Sequence, residues 1–180
     1  PDHIDHHGSF HNYLNAKNRI LEANKSITEN SPFEIFKIIT GNNYQGSIQL
    51  QDLINLPHRL EKIIINNRAV IINDSKSTNT DSLKYALSKV SDDSSLHLIL
   101  MGNPDKERYD SFLLSRPQYL YICGKHAEQL SNKIDHHNKS IFKSLEDTLK
   151  HINHNFSGNV EILFSPGNPS GRDYKNFEER

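Results

Sequence analysis

The stretch Val70-Ile-Ile-Asn-Asp-Ser-Lys-Ser-Thr-Asn79 constrains the fold more than any other. A β-branched run stops in small polar groups and one lysine, and from Asp81 the pattern becomes a helix with Leu83, Ala86, Leu87 and Val90 on one face. The polar cluster therefore lies at the carboxyl end of a buried strand. In open α/β sheets ligands bind there, because loop groups and helix N-termini converge. Asp, Ser, Thr and Asn also cap helices without any ligand, so an ordinary strand-to-helix connection is the competing reading.

The rest of the chain repeats this alternation. Lys62 to Ile65 and Ala69 to Ile72 flank Asn66-Asn67, which reads as a hairpin turn. Leu96 to Met101 is a strand ending at Gly102, Tyr119 to Cys123 a strand ending at Gly124, and Val160 to Phe164 a strand after Gly158. Helices are expected over His126 to Ile134, with Ala127, Leu130 and Ile134 inward, and over about Ser144 to Asn153, with Leu145, Leu149 and Ile152 inward. The expected fold is α/β, a doubly wound and mostly parallel sheet.

Such a sheet brings three loops to one edge: Asp74 to Asn79, Gly102 to Lys106, and Ser165 to Phe177. Lys76 and Lys106 offer positive charge to carboxylates, and Thr78, Asn79 and Ser170 offer hydroxyl and amide hydrogen bonds. Asp74 is placed to hold an amine or a metal-bound phosphate. Lys106, flanked by Asp105 and Glu107, reads equally well as a solvated loop lysine.

Composition narrows the function classes. With 34% hydrophobic residues and a net charge of −1 the chain carries no basic face for nucleic acid. No apolar run is long enough to span a bilayer. A lone cysteine, Cys123, excludes an internal disulfide and suits a reducing cytoplasm; it ends an apolar run and reads as a buried, inert thiol.

Near the start, His3, His6, His7 and His11 invite a zinc reading, yet their spacing fits no ligand pattern on one face, and an exposed polar loop is the better expectation. Ser9 caps a helix running to about Leu21 with Phe10, Tyr13, Leu14 and Leu21 on one stripe. Lys17 falls on that stripe, so either it faces inward at a cost or its stem packs while its amine reaches water. Glu22 to Asn55 gives no clear pattern. At Leu56-Pro-His-Arg-Leu-Glu61 the composition changes and a boundary is expected, dividing 1–57 from 58–180.

Several of these stretches together resemble the Mur ligase family, and within it the D-glutamate-adding branch. Asn73-Asp-Ser-Lys-Ser-Thr-Asn79 is similar to the signature that opens the C-terminal domain of that branch. Leu56-Pro-His-Arg-Leu-Glu61, Met101-Gly102 with Asp105-Lys106, and Ser165-Pro166 through Lys175-Asn-Phe-Glu-Glu-Arg180 follow the family's order. Asp2-His3-Ile-Asp5 and Tyr13-Leu-Asn-Ala-Lys17 resemble the end of the central ATP-binding domain.

The resemblance implies a remnant of that central domain over 1–57 and the Rossmann-like C-terminal domain over 58–180. It implies magnesium at His3 and at a carbamylated Lys17, and ATP at Arg59 and Asp74. D-glutamate would be held by Lys76, Thr78, Lys106, Ser170 and Phe177. Lys17, Asp74 and Lys76 would serve catalysis. The implied reaction is ATP-dependent amide formation between UDP-N-acetylmuramoyl-L-alanine and D-glutamate through an acyl phosphate, by a cytoplasmic monomer.

The chain departs from the family at four places. No Gly-Lys-Ser/Thr phosphate loop occurs in these residues. Gly41-Asn42-Asn43 only echoes the family's adenine-contacting motif. In the last loop Gly171-Arg172 replaces an apolar residue and an aspartate, and Met101 stands where glycine is usual. Two other readings remain: a truncated, non-catalytic fragment that binds amino acid or nucleotide, and a related ligase of the folylpolyglutamate type.

Overall fold

The six strands of the sheet stand in the order β1-β2-β6-β3-β4-β5. In chain order they are β1 (Glu61–Asn66), β2 (Ala69–Asn73), β3 (Leu96–Met101), β4 (Tyr119–Cys123), β5 (Lys139–Phe142) and β6 (Val160–Phe164). The helices are α1 (Phe10–Asn18), α2 (Thr80–Lys89), α3 (Ala127–Ser131) and α4 (Leu145–Asn155). The structure is a computed structural model and describes residues 7–19, 35, 38, 56–66, 69–90, 95–105, 109, 115–156, 158–170 and 173–180. Two compact units are present, Pro1–Ile54 and Asn55–Arg180, and the sheet belongs to the second.

Strand β1 runs antiparallel to β2, with Ile63 opposite Ile71, as the hairpin reading expects. The other pairs, β2 with β6, β6 with β3, β3 with β4 and β4 with β5, are all parallel. Alternation along the strands sends side chains to two cores. Leu98, Leu100, Leu120, Ile122 and Leu163 pack with Leu83, Ala86 and Leu87 of α2 and with Ala127 and Leu130 of α3. Ile99, Met101, Tyr121, Cys123, Ile162 and Phe164 pack on the other face with Ile152, Leu145 and Leu149 of α4.

The two faces follow from crossover direction. The connections β2–α2–β3 and β4–α3–β5 step one way across the sheet, and β5–α4–β6 steps back. One hand of crossover then places α2 and α3 on one face and α4 on the opposite one. Because β6 is inserted between β2 and β3, the loops leaving those three strands emerge side by side.

Several element ends differ from the sequence reading. Strand β5 was not expected: it is a four-residue edge strand, and only partial burial of Lys139, Ser140 and Phe142 marks it. Helix α3 ends at Ser131, after which Lys133 and Ile134 donate to Leu130 and Ser131 in tighter turns, while Ile134 still reaches the core. Helix α4 begins after the Ser144 cap, whose hydroxyl accepts from the Asp147 N–H at 3.1 Å.

The first unit is known here mainly through α1. Ser9 caps it as expected, accepting from Asn12 N–H at 3.1 Å. Among the described residues of its apolar stripe none is buried, and Phe10 and Leu14 are 49% and 40% exposed. Of the two readings of Lys17, the one in which the amine reaches water fits its exposure. Lys17 is exposed, with its ammonium 5.4 Å from the Tyr13 ring centroid, so the charge keeps its water and gains a ring face. Ile20 and Leu21, His3 and His6, and Gly41-Asn42-Asn43 lie outside the described residues.

Candidate functional site

The site is built at the carboxyl ends of β2, β6 and β3. Asp74 follows β2 directly, and its N–H continues the parallel ladder by donating to Phe164 O at 2.8 Å. Its carboxylate is buried and accepts from the Ser165 hydroxyl at 2.8 Å. Burial pushes the Asp74 carboxyl above its ordinary range, while the Ser165 hydroxyl, the Leu60 N–H and the nearby Arg59 charge pull it back. Asp74 thus lies beneath the site as a junction between three segments.

The loop preceding β1 closes over this junction. Its backbone is left-handed on either side of Arg59, at His58 (φ 64°) and Leu60 (φ 48°), which costs on the order of 1 kcal/mol or more per residue. A dense set of bonds holds the strain. His58 N–H donates to Glu61 at 3.1 Å, His58 O accepts from Lys76 N–H at 3.1 Å, and His58 Nδ1 meets Ser75 Oγ at 3.1 Å. Asn73 completes the set by donating to Glu61 at 3.2 Å and accepting from Ser75 N–H at 3.1 Å. Arg59 is presented exposed between two constrained residues.

Lys76 and Phe177, separated by a hundred positions, meet here. The Lys76 ammonium lies 4.5 Å from the centroid of the Phe177 ring, and the His58 ring approaches the same phenyl edge-on at 5.9 Å. Thr78 and Ser170 are partly exposed in the adjoining loops. Asn79 spends its side-chain oxygen on the N–H of Ser82 at 2.8 Å, capping α2. Lys106 lies outside the described residues.

Residues the sequence reading left without a role hold these loops together. Asn168 is fully buried and donates to Met101 O at 3.2 Å and Pro166 O at 2.9 Å, while Tyr109 donates to its side-chain oxygen at 2.6 Å. Gly102 has φ +99°, and a Cβ there would come within 2.1 Å of Pro169 O, so glycine is what lets the two loops touch. Arg180 donates to Asn168 O at 3.2 Å, to Ser77 O at 3.4 Å and to Ser75 O. Burial pushes this guanidinium down to about 10, still charged at neutral pH.

The departing residues Gly171 and Arg172 lie outside the described residues, and Asp173 follows them. Asp173 N–H donates to Ser170 O at 3.2 Å, and its carboxylate accepts from Lys125 N–H at 2.9 Å against Gly124. The only sequence signal for this was an aspartate displaced by one place. Cys123 is inert as expected: fully buried, with its thiol pushed up to about 12 by burial.

Among the described residues no group of three His, Cys, Asp or Glu is arranged to hold a metal, and no helix is long and apolar enough to cross a membrane.

Comparison with known proteins adds a second line of evidence. No family model matches the chain. Over 134 residues it is 33% identical to a UDP-N-acetylmuramoylalanine–D-glutamate ligase of Buchnera aphidicola subsp. Baizongia pistaciae, a match covering 73% of this chain and 30% of that protein. Ligases of the same name from Baumannia cicadellinicola and Thermosipho melanesiensis are 31% and 34% identical over 136 and 139 residues, covering 74% and 73% of this chain. The chain thus spans about 30% of the length of the curated relatives it matches. Among solved structures, a MurF ligase from Thermotoga maritima, crystallised with ADP, superposes with a TM-score of 0.51 over 73% of this chain and 32% of its own, at 12% identity. That likeness carries the fold.

Proposed function

This chain belongs to the Mur ligase family, and on that premise we propose that it supplies the acceptor-binding part of an ATP-dependent ligase joining D-glutamate to UDP-N-acetylmuramoyl-L-alanine. On this reading residues 58–180 are the C-terminal domain of the ligase and 1–57 the end of its central, ATP-binding domain. The observation that carries the reading is the meeting of Lys76 with Phe177 beside His58 and Arg59, at a sheet edge whose sequence matches D-glutamate-adding ligases.

The geometry suits the chemistry. A dicarboxylic amino acid needs a cation for a carboxylate and neutral donors around it, which Lys76, Thr78 and Ser170 offer. Phe177 lines the approach and sets the ammonium's direction. Lys106 enters the proposal through the family resemblance alone. The reaction phosphorylates the carboxylate of UDP-N-acetylmuramoyl-L-alanine with ATP; the D-glutamate amine then attacks the acyl phosphate, phosphate leaves, and an amide forms. Arg59, exposed on its constrained loop, meets the ATP phosphates on this reading when domains close, a role taken from the family resemblance. Asp74 supports this edge from below through Ser165 and Leu60.

Magnesium, when bound, neutralises charge on the phosphoryl oxygens. His3 and Lys17 are assigned to it through resemblance, and Lys17 is at the surface of α1. The setting is that of a cytoplasmic, monomeric enzyme.

Two measurements test the proposal. The native gene product is expected to have a mass well above 20.7 kDa, with the remaining ligase domains upstream; a mass near that value would replace catalysis with simple binding. In the complete enzyme, Lys76→Ala removes a charge-assisted contact worth about 2–3 kcal/mol, so D-glutamate-dependent phosphate release should fall roughly 100-fold. Unchanged turnover would remove Lys76 from the site.

A further inference from the structure

The last eight residues form a strap fastened at both ends. Asp173 fastens one end, its carboxylate accepting from Lys125 N–H at 2.9 Å beside β4. Arg180 fastens the other, donating to carbonyls of the β6 loop and of the β2–α2 loop. Inside the strap, Lys175 N–H donates to Glu179 at 2.7 Å and Glu179 N–H to Asn176 at 2.9 Å, which keeps the turn short. Phe177 lies between the two fastenings, 4.5 Å from the Lys76 ammonium.

Arg180 straddles Lys76. The carbonyls it takes in the β2–α2 loop belong to Ser75 and Ser77, the residues immediately before and after the lysine. The third, Asn168 O, belongs to a residue whose side chain is itself tied to Met101 and Pro166. One partly buried guanidinium therefore fixes the backbone on both sides of Lys76 relative to the β6 loop. A planar group with five donors can do this, and an ammonium cannot.

We propose that Arg180 is a positioning residue for Lys76: it sets the lysine's backbone directly and, by closing the strap, keeps Phe177 on the ammonium, so that the cation is aimed before the acceptor's carboxylate arrives. A lysine side chain carries large rotamer entropy, and a ligand that must order it loses affinity accordingly. Holding the lysine in advance removes that loss. Arg180 itself does not touch the acceptor. The role rests on the ligase reading, because it presumes that Lys76 meets the acceptor's carboxylate.

The test uses the complete gene product with Arg180→Met and Arg180→Lys. In Arg180→Met the KM for D-glutamate is expected to rise about tenfold or more while the KM for ATP stays within about twofold, and Arg180→Lys is expected to fall between. Equal rises in both constants, or no rise for D-glutamate, would overturn the proposal. An independent readout uses no activity at all. The Lys76 methylene protons near the Phe177 ring should be shifted upfield in the NMR spectrum of the unsubstituted protein and return toward ordinary values in the variants. Should Arg180→Met fail to fold, Arg180→Lys alone decides through the same two measurements. If the unsubstituted product does not use D-glutamate, the ligase reading fails by itself; the NMR shift then decides the positioning, and an unchanged shift in the variants overturns it.

Discussion

The protein buries polar groups in two places, and they are built differently. At the carboxyl ends of β2, β6 and β3, Asp74, Ser165, Asn168 and Arg180 join segments up to 105 positions apart. Inside β3, His97 is fully buried between the Tyr119 ring at 4.6 Å and the Phe156 ring at 4.4 Å, and its Nδ1 meets the Tyr121 hydroxyl at 3.0 Å. Both centres hold buried polar atoms without a hydrogen-bond partner among the described residues: Ser77 Oγ, Asp173 Oδ2 and Arg180 Nε in the first, His97 Nε2 in the second. An unpaired buried atom costs free energy in either setting and does not by itself mark a function. The neighbours make the distinction. Around Lys76 the polar groups hold a cation at a loop edge, whereas around His97 there are rings and aliphatic side chains.

The largest expected effect comes from breaking the first centre through its backbone. Gly102→Ala forces a Cβ to within 2.1 Å of Pro169 O at a left-handed φ of +99°. Since that contact is backbone, the 165–170 loop must move, and a loss of about 2–4 kcal/mol in unfolding free energy is expected from chemical denaturation. Gly158→Ala, where a Cβ meets nothing within 4 Å, should change stability by less than about 0.5 kcal/mol. Equal stability of the two variants would mean that the loops at the site are not tightly joined.

The second centre is sharpened by acid. Burial pushes His97 down to about 4 from an ordinary 6.5, so the folded protein keeps it neutral where the unfolded chain takes up a proton. Between those pH values the unfolded state binds more protons, and stability falls as pH falls. The slope approaches about 1.4 kcal/mol per pH unit, the limit for one proton. His97→Phe removes the group and keeps a ring in the stack, so chemical denaturation between pH 7 and pH 4 should show a flatter profile. An unaltered profile would assign the acid sensitivity elsewhere.

The two centres were not equally legible in the sequence. The run Val70 to Asn79 announced a strand followed by a helix, because a β-branched run gives way there to small polar groups and then to a helical face. Helix α2 buries Leu83, Ala86 and Leu87 as that pattern requires. Lys76 was named from the charge its loop offers, and Phe177 through family resemblance alone. Their direct contact depends on β6 lying between β2 and β3, a long-range arrangement that spacing does not encode. Arg180, Asn168 and Asp173 went without roles for the same reason: each bonds to the backbone of a distant loop, and a carbonyl leaves no mark in sequence. His97 was read simply as one residue of an apolar strand. Lys17 stayed between two readings on its stripe, because a stripe states which residues share a face and not whether anything covers it.

A smaller effect separates support from binding at Asp74. Ser165→Ala removes the hydroxyl that donates to the Asp74 carboxylate at 2.8 Å, which should cost about 1–3 kcal/mol at neutral pH. That hydroxyl is also the foremost influence holding the raised Asp74 carboxyl down, so its loss raises the carboxyl further. A raised carboxyl makes the folded state bind its proton first as pH falls, which relieves the penalty of burying the charge. The deficit of Ser165→Ala relative to the parent should therefore be largest at neutral pH and shrink as pH falls through the Asp74 titration toward 3.8. A deficit independent of pH would show that Ser165 matters through packing alone.

The smallest effect asks whether the site loop does more than cap a helix. Asn79 and Ser144 make the same bond at the N-termini of α2 and α4, accepting from the third following N–H at 2.8 Å and 3.1 Å. Either residue replaced by alanine leaves one helix donor unsatisfied, at about 1 kcal/mol. The two losses of stability should be of similar size, Ser144 losing in addition its donation to the Asp147 carboxylate at 2.8 Å. Their effects on D-glutamate use in the complete enzyme should differ. Asn79 adjoins Thr78 in the site loop, so fraying the first turn of α2 should raise the KM for D-glutamate, whereas α4 lies on the opposite face and its fraying should leave that constant unchanged. If Asn79→Ala and Ser144→Ala alter both stability and KM alike, the loop after β2 is an ordinary capped connection, and the site must be sought along other loops of the same edge.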